Sequence, residues 1–271
     1  MSNTSFVGKV YHRFDELPST NDWAAKLVAR IEHTSPITPA EGTAKTKPPE
    51  GTVVRAANQT AGRGQLGSLW HSSPEENLLL SVIFYPTWLE IQAQFYMSMA
   101  VALGLKDVIG TLGHPSLGLA PFIKWPNDLY LGDKKTSGIL IQNSLSGSNL
   151  QSSIVGIGLN VNQLNFPSDL PNATSLALAY GQKLDLDVVA ERLFECLEHR
   201  YLQLKAGNRS AIKAEYERNL WRRGESSRFV RSSDNSEFDG VLLGVTEHGF
   251  LRVETVAGME EFEVKQLRFV P

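Results

Sequence analysis

The sequence predicts a chain of interleaved strands and helices that ends in a small all-β unit. Three observations carry this. Residues 51–59 (GTVVRAANQ) and 78–85 (LLLSVIFY) are dense in β-branched and apolar side chains, as strands are. Residues 89–112 and 188–206 are long apolar or amphipathic stretches of helical length. Beyond Arg223, short strand-like runs alternate with the turn segments SDNS, TEHG and VAGM, the texture of a small barrel.

The elements follow in order. A short strand over 10–14 leads into LPSTNDWAAKLVARIE, where Trp23, Leu27, Val28 and Ile31 share one helical face and Ser19, Thr20, Asn21 or Asp22 can cap it. Residues 33–51 hold four prolines and almost no large apolar side chain, so about 34–50 reads as a mobile insertion outside the core. The run at 78–85 is apolar without alternation, which suits a strand buried on both faces. The 89–112 helix is apolar over most of its surface and therefore expected to be well buried. FIKWPNDLYLGDKKTSGILIQ reads as three strands and two turns, and SSIVGIGLNVN as another strand. Helices follow through Val189, Leu193, Leu197, Tyr201 and Leu204, stopped by Gly207, and through Ile212, Tyr216 and Leu220. The expected division is residues 1–223 and a barrel over 224–271.

Bulk properties narrow the function. The 271 residues carry a net charge of −3, so no global basic field draws the chain to nucleic acid or membrane. Cys196 is the single cysteine, which excludes an internal disulfide and a cysteine-rich zinc site and suits the cytoplasm. No signal peptide is visible, and no apolar run is expected to reach the ~18 residues of a membrane span. The six histidines are scattered without metal-ligand spacing, and no Ser–His–Asp arrangement stands out, so no protein-built metal site is expected.

Four stretches carry chemistry. TAGRGQLGSLW, residues 60–70, spells G-x-G-x-x-G through Gly62, Gly64 and Gly67. The dinucleotide-binding version needs a helix after it; here a strand follows, so the loop joins two strands. Arg63 between glycines suits an anion site, because backbone N–H groups and a guanidinium fork can approach together. In the strand over 154–162, Gly156, Gly158, Asn160 and Asn162 share a face that would admit a flat ligand. KWPND sets Lys124, Trp125, Asn127 and Asp128 at a strand end, where lysine and aspartate could meet phosphate and a hydroxyl, amine or hydrated Mg²⁺. Of Lys134 and Lys135, a turn pair, one could point inward. Phosphate and carboxylate handling fits this set better than hydrolysis, and points toward activating an acid with a nucleotide.

STN, QTAGRG, the later W and NLLLS, KWPNDLYL with DKKTSGIL, and GIGLNVN stand in the order and approximate spacing of the biotin–protein ligases. The sequence resembles that family over about residues 18–162, and more weakly beyond. The resemblance implies an α+β fold: a mixed β-sheet with helices like that of class II aminoacyl-tRNA synthetases, plus an SH3-like tail. It implies that biotin and MgATP give biotinyl-AMP and pyrophosphate, and that a lysine of a biotin carboxyl carrier protein then takes the biotinyl group. Carried over by position, Ser19, Thr20, Asn21 and Gln59 hold the biotin ureido ring, and Gly62, Arg63 and Gly64 wrap the tail and adenylate. Lys135 lies between biotin carboxylate and α-phosphate and, with Arg63, serves catalysis. Lys124, Asn127 and Asp128 serve nucleotide and Mg²⁺, Asn160 reads adenine, Trp70 covers it, and Gly138 and Gly158 floor the pocket. Gln65 and Ser68 stand where many members have arginine, so the adenylate is expected to leak about ten- to a hundredfold more than beside a guanidinium. The chain begins too close to STN for the DNA-binding domain of bifunctional members, so no operator binding is expected; a homodimer is left open. The rivals are a lipoate or octanoate ligase or transferase of the same fold and a non-catalytic biotin-binding module; KWPND, GRG and Lys135 favour the enzyme.

Overall fold

The computed structural model describes residues 3–32, 47–113 and 118–270. Its seven-stranded sheet is built from β1 (Tyr11–Leu17), β2 (Thr52–Gln59), β3 (Leu78–Phe84), β4 (Pro121–Lys124), β5 (Asp128–Leu131), β6 (Lys134–Ser146) and β7 (Asn149–Leu159). The spatial order is β1-β2-β3-β7-β6-β5-β4. β1 and β2 run parallel and every other neighbouring pair is antiparallel, so the sheet is mixed.

That one parallel pair fixes where the cleft forms. Parallel neighbours need a crossover, and α1 (Thr20–Glu32) lies between them in the chain and covers one face of the sheet. β3 is buried along its whole length, as its uninterrupted apolar run requires. Leu78, Leu80, Val82 and Phe84 face the large core. Ile83 points the other way, into a smaller cluster with Ala24, Val54 and Ile154 beneath α1. The large core is closed by α2 (Phe95–Leu112), α4 (Leu186–Lys205) and α5 (Arg209–Arg218). A short helix, α3 (Leu176–Tyr180), capped by Ser175 accepting from the Leu178 amide, was not foreseen. Its five residues are too few for a helical period to show.

One expectation needs correction. Ile91–Leu112, a 3-10 turn running into α2, is long and apolar enough by composition to cross a membrane. Its apolar surface is instead spent on packing: Met97, Met99, Leu103, Leu105, Val108 and Ile109 are all buried inside the protein.

The second sheet comprises β8 (Ser226–Arg231), β9 (Glu237–Val245), β10 (Leu251–Thr255), β11 (Gly258–Phe262) and β12 (Leu267–Phe269), in the order β11-β10-β9-β8-β12. All its pairs are antiparallel, as in an SH3-like module. Phe229, Leu242, Val253 and Phe262 fill its interior. Most of the proline-rich insertion, residues 33–46, lies outside the described residues. Its last residues do not stand off the body: Pro48 O accepts from the Tyr85 hydroxyl at 2.9 Å, and the Lys47 ammonium sits 3.3 Å from the Tyr85 ring centroid.

Residues 5–7 of the N-terminal segment are held by one carboxylate. Glu198 on α4 is 6% exposed and accepts from the amides of Ser5 (2.6 Å), Phe6 (2.8 Å) and Val7 (2.9 Å). Burial alone would push this carboxyl up; the three amides more than offset that and hold it below the ordinary glutamate range. A depressed folded value gives stability that is present above the unfolded value of about 4.3 and is lost as pH falls through the folded one. Glu198→Gln is therefore expected to lower unfolding free energy by about 1.5–3 kcal/mol at pH 7. The gap to wild type should shrink steadily as denaturant melts are repeated from pH 5 down; a gap that ignores pH would show that packing, not charge, holds the segment.

Candidate active site

The cleft opens where α1 begins. Ser19 Oγ accepts from the Asp22 amide at 3.3 Å and caps the helix. This tight start leaves Ser19, Thr20 and Asn21 buried over the sheet. Gln59, at the end of β2, pairs with Leu17 in register and so reaches the same place. Its Oε1 accepts from the Thr20 amide (2.7 Å) and hydroxyl (3.1 Å). Ser81 Oγ lies 2.6 Å from Asn21 Oδ1 and 2.8 Å from Thr20 Oγ1. Asn21 Nδ2 donates to Leu140 O and to Gln142 Oε1, each at 3.2 Å. Hydroxyls and amides of fixed orientation thus converge without a formal charge, which suits a neutral polar ring. Ser81 escaped notice in the sequence, though it is the lone hydroxyl in an otherwise apolar strand.

Glycines make the floor. Gly138 pairs with Gly158 between β6 and β7, and Gly156 lies opposite Ser81 on β3. A Cβ on Gly156 would stand 2.3 Å from Asn21 Oδ1, and one on Gly158 2.4 Å from the Trp70 indole. The Gly-Asn face expected over 156–162 is shorter than foreseen. β7 ends at Leu159, and Asn162 turns away to exchange two hydrogen bonds with the Leu184 backbone.

The far end is charged. Lys135 Nζ lies 2.7 Å from Asp128 Oδ1, close but off the hydrogen-bonding direction, and 5.6 Å from the Trp70 ring centroid. The Lys135 backbone is gripped from outside the sheet: its amide donates to Asn172 O (2.7 Å) and its carbonyl accepts from the Thr174 amide (2.8 Å). Asn127 Nδ2 donates to Ile139 O at 2.7 Å. These groups and the α1 network line one cleft of about 230 Å³. Behind Trp70 a second cleft of about 260 Å³ runs past Leu69, His71, Tyr130, Phe166 and Leu170 to Asn160. Asn160 Nδ2 donates to Thr174 O, while its Oδ1 is buried without a partner. The Trp70 Nε1 donor is likewise buried and unpaired.

Not every expected residue converges as foreseen. In the loop over 62–70, the Gly64 and Trp70 amides donate to Ser68 O (2.7 Å) and Gly62 O (3.0 Å), within the loop rather than to the cleft. Gly62 does not line the cleft; its missing Cβ makes room for the Trp70 carbonyl. Arg63 stands at the mouth, paired with Asp22 at 2.7 Å in a half-exposed bridge. Lys124 is outside the main cleft: its Nζ lies 3.0 Å from the Tyr130 hydroxyl, among the rings of Tyr130, Trp221 and Phe269. Burial lowers its pKa, as do Lys135 and Arg222 nearby, against the pull of Asp128. Cys196 is half-buried on α4 and its thiol is pushed up to about 11, first by burial, which suits packing rather than reactivity.

A mixed sheet, a crossover helix that opens a polar pocket and a lysine–aspartate pair at the pocket's other end define a two-ended cleft for an elongated ligand, with a β-sheet appendage behind it. Residues 27–160 match the model of the Biotin/lipoate A/B protein ligase family. It is 34% identical over 216 residues to the bifunctional ligase/repressor BirA of Bacillus subtilis, covering 79% of this chain and 64% of that protein. It thus spans less than two-thirds of that relative's length. It is 29% identical over 220 residues to the biotin–[acetyl-CoA-carboxylase] ligase of Paracoccus denitrificans, covering 80% of this chain and 89% of that one. The biotin protein ligase of Aquifex aeolicus, solved with biotin and ATP, superimposes with a TM-score of 0.73 at 25% identity, over 97% of this chain and 100% of that chain.

Proposed function

We propose that this chain activates biotin with ATP and passes the biotinyl group to a lysine of a biotin carboxyl carrier protein. A biotin carboxylate oxygen attacks the α-phosphorus, pyrophosphate leaves, and biotinyl-5′-AMP forms. The carrier amine then attacks the mixed anhydride's carbonyl, loses a proton and releases AMP. The observation that carries this reading is the polarity of one cleft: a neutral hydroxyl–amide cluster at one end, a cation at the other, and glycines between. Ser19, Thr20, Asn21 and Gln59, with Ser81 behind them, would hold the ureido ring. Lys135 would stand between carboxylate and α-phosphate, where fixed positive charge stabilises the charge that builds during attack. Asn160 would accept from the adenine amine through its unpaired Oδ1. The Paracoccus relative is a biotin–[acetyl-CoA-carboxylase] ligase and the Aquifex relative a biotin protein ligase solved with biotin and ATP, which supports this reading.

Among the described residues no three His, Cys, Asp or Glu side chains gather as metal ligands. Asp128 is the one carboxylate among the described residues that line the main cleft. One carboxylate plus phosphate oxygens is a common Mg²⁺ environment, so Asp128 would hold the Mg²⁺ that accompanies ATP and screens its phosphates. The transfer half is tested by mixing the chain with biotin, ATP and a purified carrier domain and mapping modification by mass spectrometry. A single biotinylated carrier lysine is expected; a carrier left unmodified while adenylate accumulates would sink the partner assignment.

Position 65 bears on adenylate retention, and its surroundings revise the leak inferred from the missing arginine. Gln65 lines both the main cleft and a neighbouring one of about 430 Å³, whose charged residues are Lys124, Lys265 and Arg268, with no carboxylate among the described residues. An added guanidinium would therefore enter an already cationic space. Gln65→Arg is expected to slow adenylate release by less than about tenfold. A chase experiment showing a hundredfold slowing would mean that these cations do not reach the ligand.

A further inference from the structure

Residues 123–126 are held from behind. The Ile123 amide donates to Asn219 O and the Trp221 amide to Ile123 O, both at 2.8 Å, which docks β4 onto the segment after α5. Trp125 is 5% exposed and its Nε1 donates to Gly249 O at 2.9 Å, in the turn between β9 and β10. Gly249 has φ +88°, and a Cβ there would stand 2.2 Å from the Phe95 ring, so glycine lets the turn press closely against the main body. The Lys124 ammonium lies 4.8, 5.1 and 5.3 Å from the ring centroids of Tyr130, Trp221 and Phe269, the last of them on β12. No carboxylate lies within ion-pair distance of it among the described residues, so aromatic faces and the Tyr130 hydroxyl hold the charge. Immediately after these four residues come Asn127 and Asp128, both lining the main cleft.

We propose that Lys124 and Trp125 are positioning residues through which the C-terminal sheet sets Asn127 and Asp128 against Lys135. This rests on the proposed biotin–ATP reading for its kinetic consequence, though not for its structural one. The sheet clamps the turn at two points, Gly249 O and the Phe269 ring. Loosening either lets Asn127 and Asp128 drift, and with Asp128 the partner of Lys135. The ureido-side groups on α1 and β2 are untouched, so the effect falls on the nucleotide end alone.

Trp125→Phe removes the indole N–H and keeps most of the packing; Phe269→Leu opens the cage from the other sheet. Both are expected to raise the KM for ATP about tenfold while biotin affinity by calorimetry stays within about twofold of wild type. Val253→Ala, inside the C-terminal sheet but away from the clamp, is the control for general loosening: a lower melting temperature with an unchanged KM for ATP. Hydrogen exchange supplies a readout apart from activity. The Ile139 amide donates to Asn127 O at 2.9 Å and should exchange about tenfold faster in both clamp variants, with β2 and β3 amides unchanged. If wild type shows no biotin-dependent adenylation, the proposed function falls and exchange at Ile139 still decides the clamp. Unchanged Ile139 exchange in both variants, or biotin affinity falling in step with ATP, overturns it.

Discussion

Lys135→Ala is expected to slow biotinyl-adenylate formation by about a hundredfold or more, the loss seen when one preorganised donor to a developing charge is removed. Preorganisation is the ground for so large a number. The lysine backbone is fixed on both sides by Asn172 O and the Thr174 amide, so the ammonium is delivered by a rigid strand rather than by a free hairpin tip. Alanine also removes the ammonium that stands 2.7 Å from Asp128, so the positive charge beside the reacting anions falls. Single-turnover rates measure the step directly. Lys134→Ala should stay near wild type, since that side chain is exposed at the turn. Equal rates for the two variants would return Lys135 to a solvated turn residue.

Gly156→Val should abolish high-affinity biotin binding, with a loss of about a hundredfold or more. Even the first added carbon would stand 2.3 Å from Asn21 Oδ1. Asn21 cannot yield cheaply, because Ser81, Leu140 O and Gln142 all hold its amide. Either the helix start shifts or the polar cluster comes apart, and both outcomes spoil the pocket. Calorimetric titration with biotin reads the effect, and circular dichroism confirms that the sheet survives. A variant that binds biotin as wild type does would show that the ligand lies elsewhere than over this floor.

The parts of the site legible in the sequence are those where one short stretch carries both element and chemistry. The glycine floor follows from strand alternation in GIGL, the strand-to-strand nature of the GRG loop from the absent helix, and the polar helix start from STND. What stayed hidden depends on partners far along the chain. Lys124 reads as a phosphate ligand beside Asp128 until Phe269, 145 positions later, is found against it. The grip of Asn172 and Thr174 on Lys135 comes from a loop whose sequence, PSDLPNAT, signals only turns. Ser81 was hidden by its neighbours: a single hydroxyl in a buried strand has no period of its own, and its role shows only when α1 is laid across it. The apolar length of Ile91–Leu112 likewise has two readings, span or core, and only the sheet and α4 packed around it decide between them.

The central claim is that one cleft joins a biotin-type acid to ATP. It is tested most directly by ATP–pyrophosphate exchange run in parallel with biotin, lipoate and octanoate. On the proposed reading the polar cluster of Thr20, Asn21, Gln59 and Ser81 receives the ureido ring, and neither lipoate nor octanoate carries a ureido group's donors and acceptors at that end. Buried polar groups left unpaired discriminate strongly. Exchange is therefore expected with biotin and to fall by at least about a thousandfold with the other two acids. Exchange supported by lipoate or octanoate but not by biotin would contradict the account.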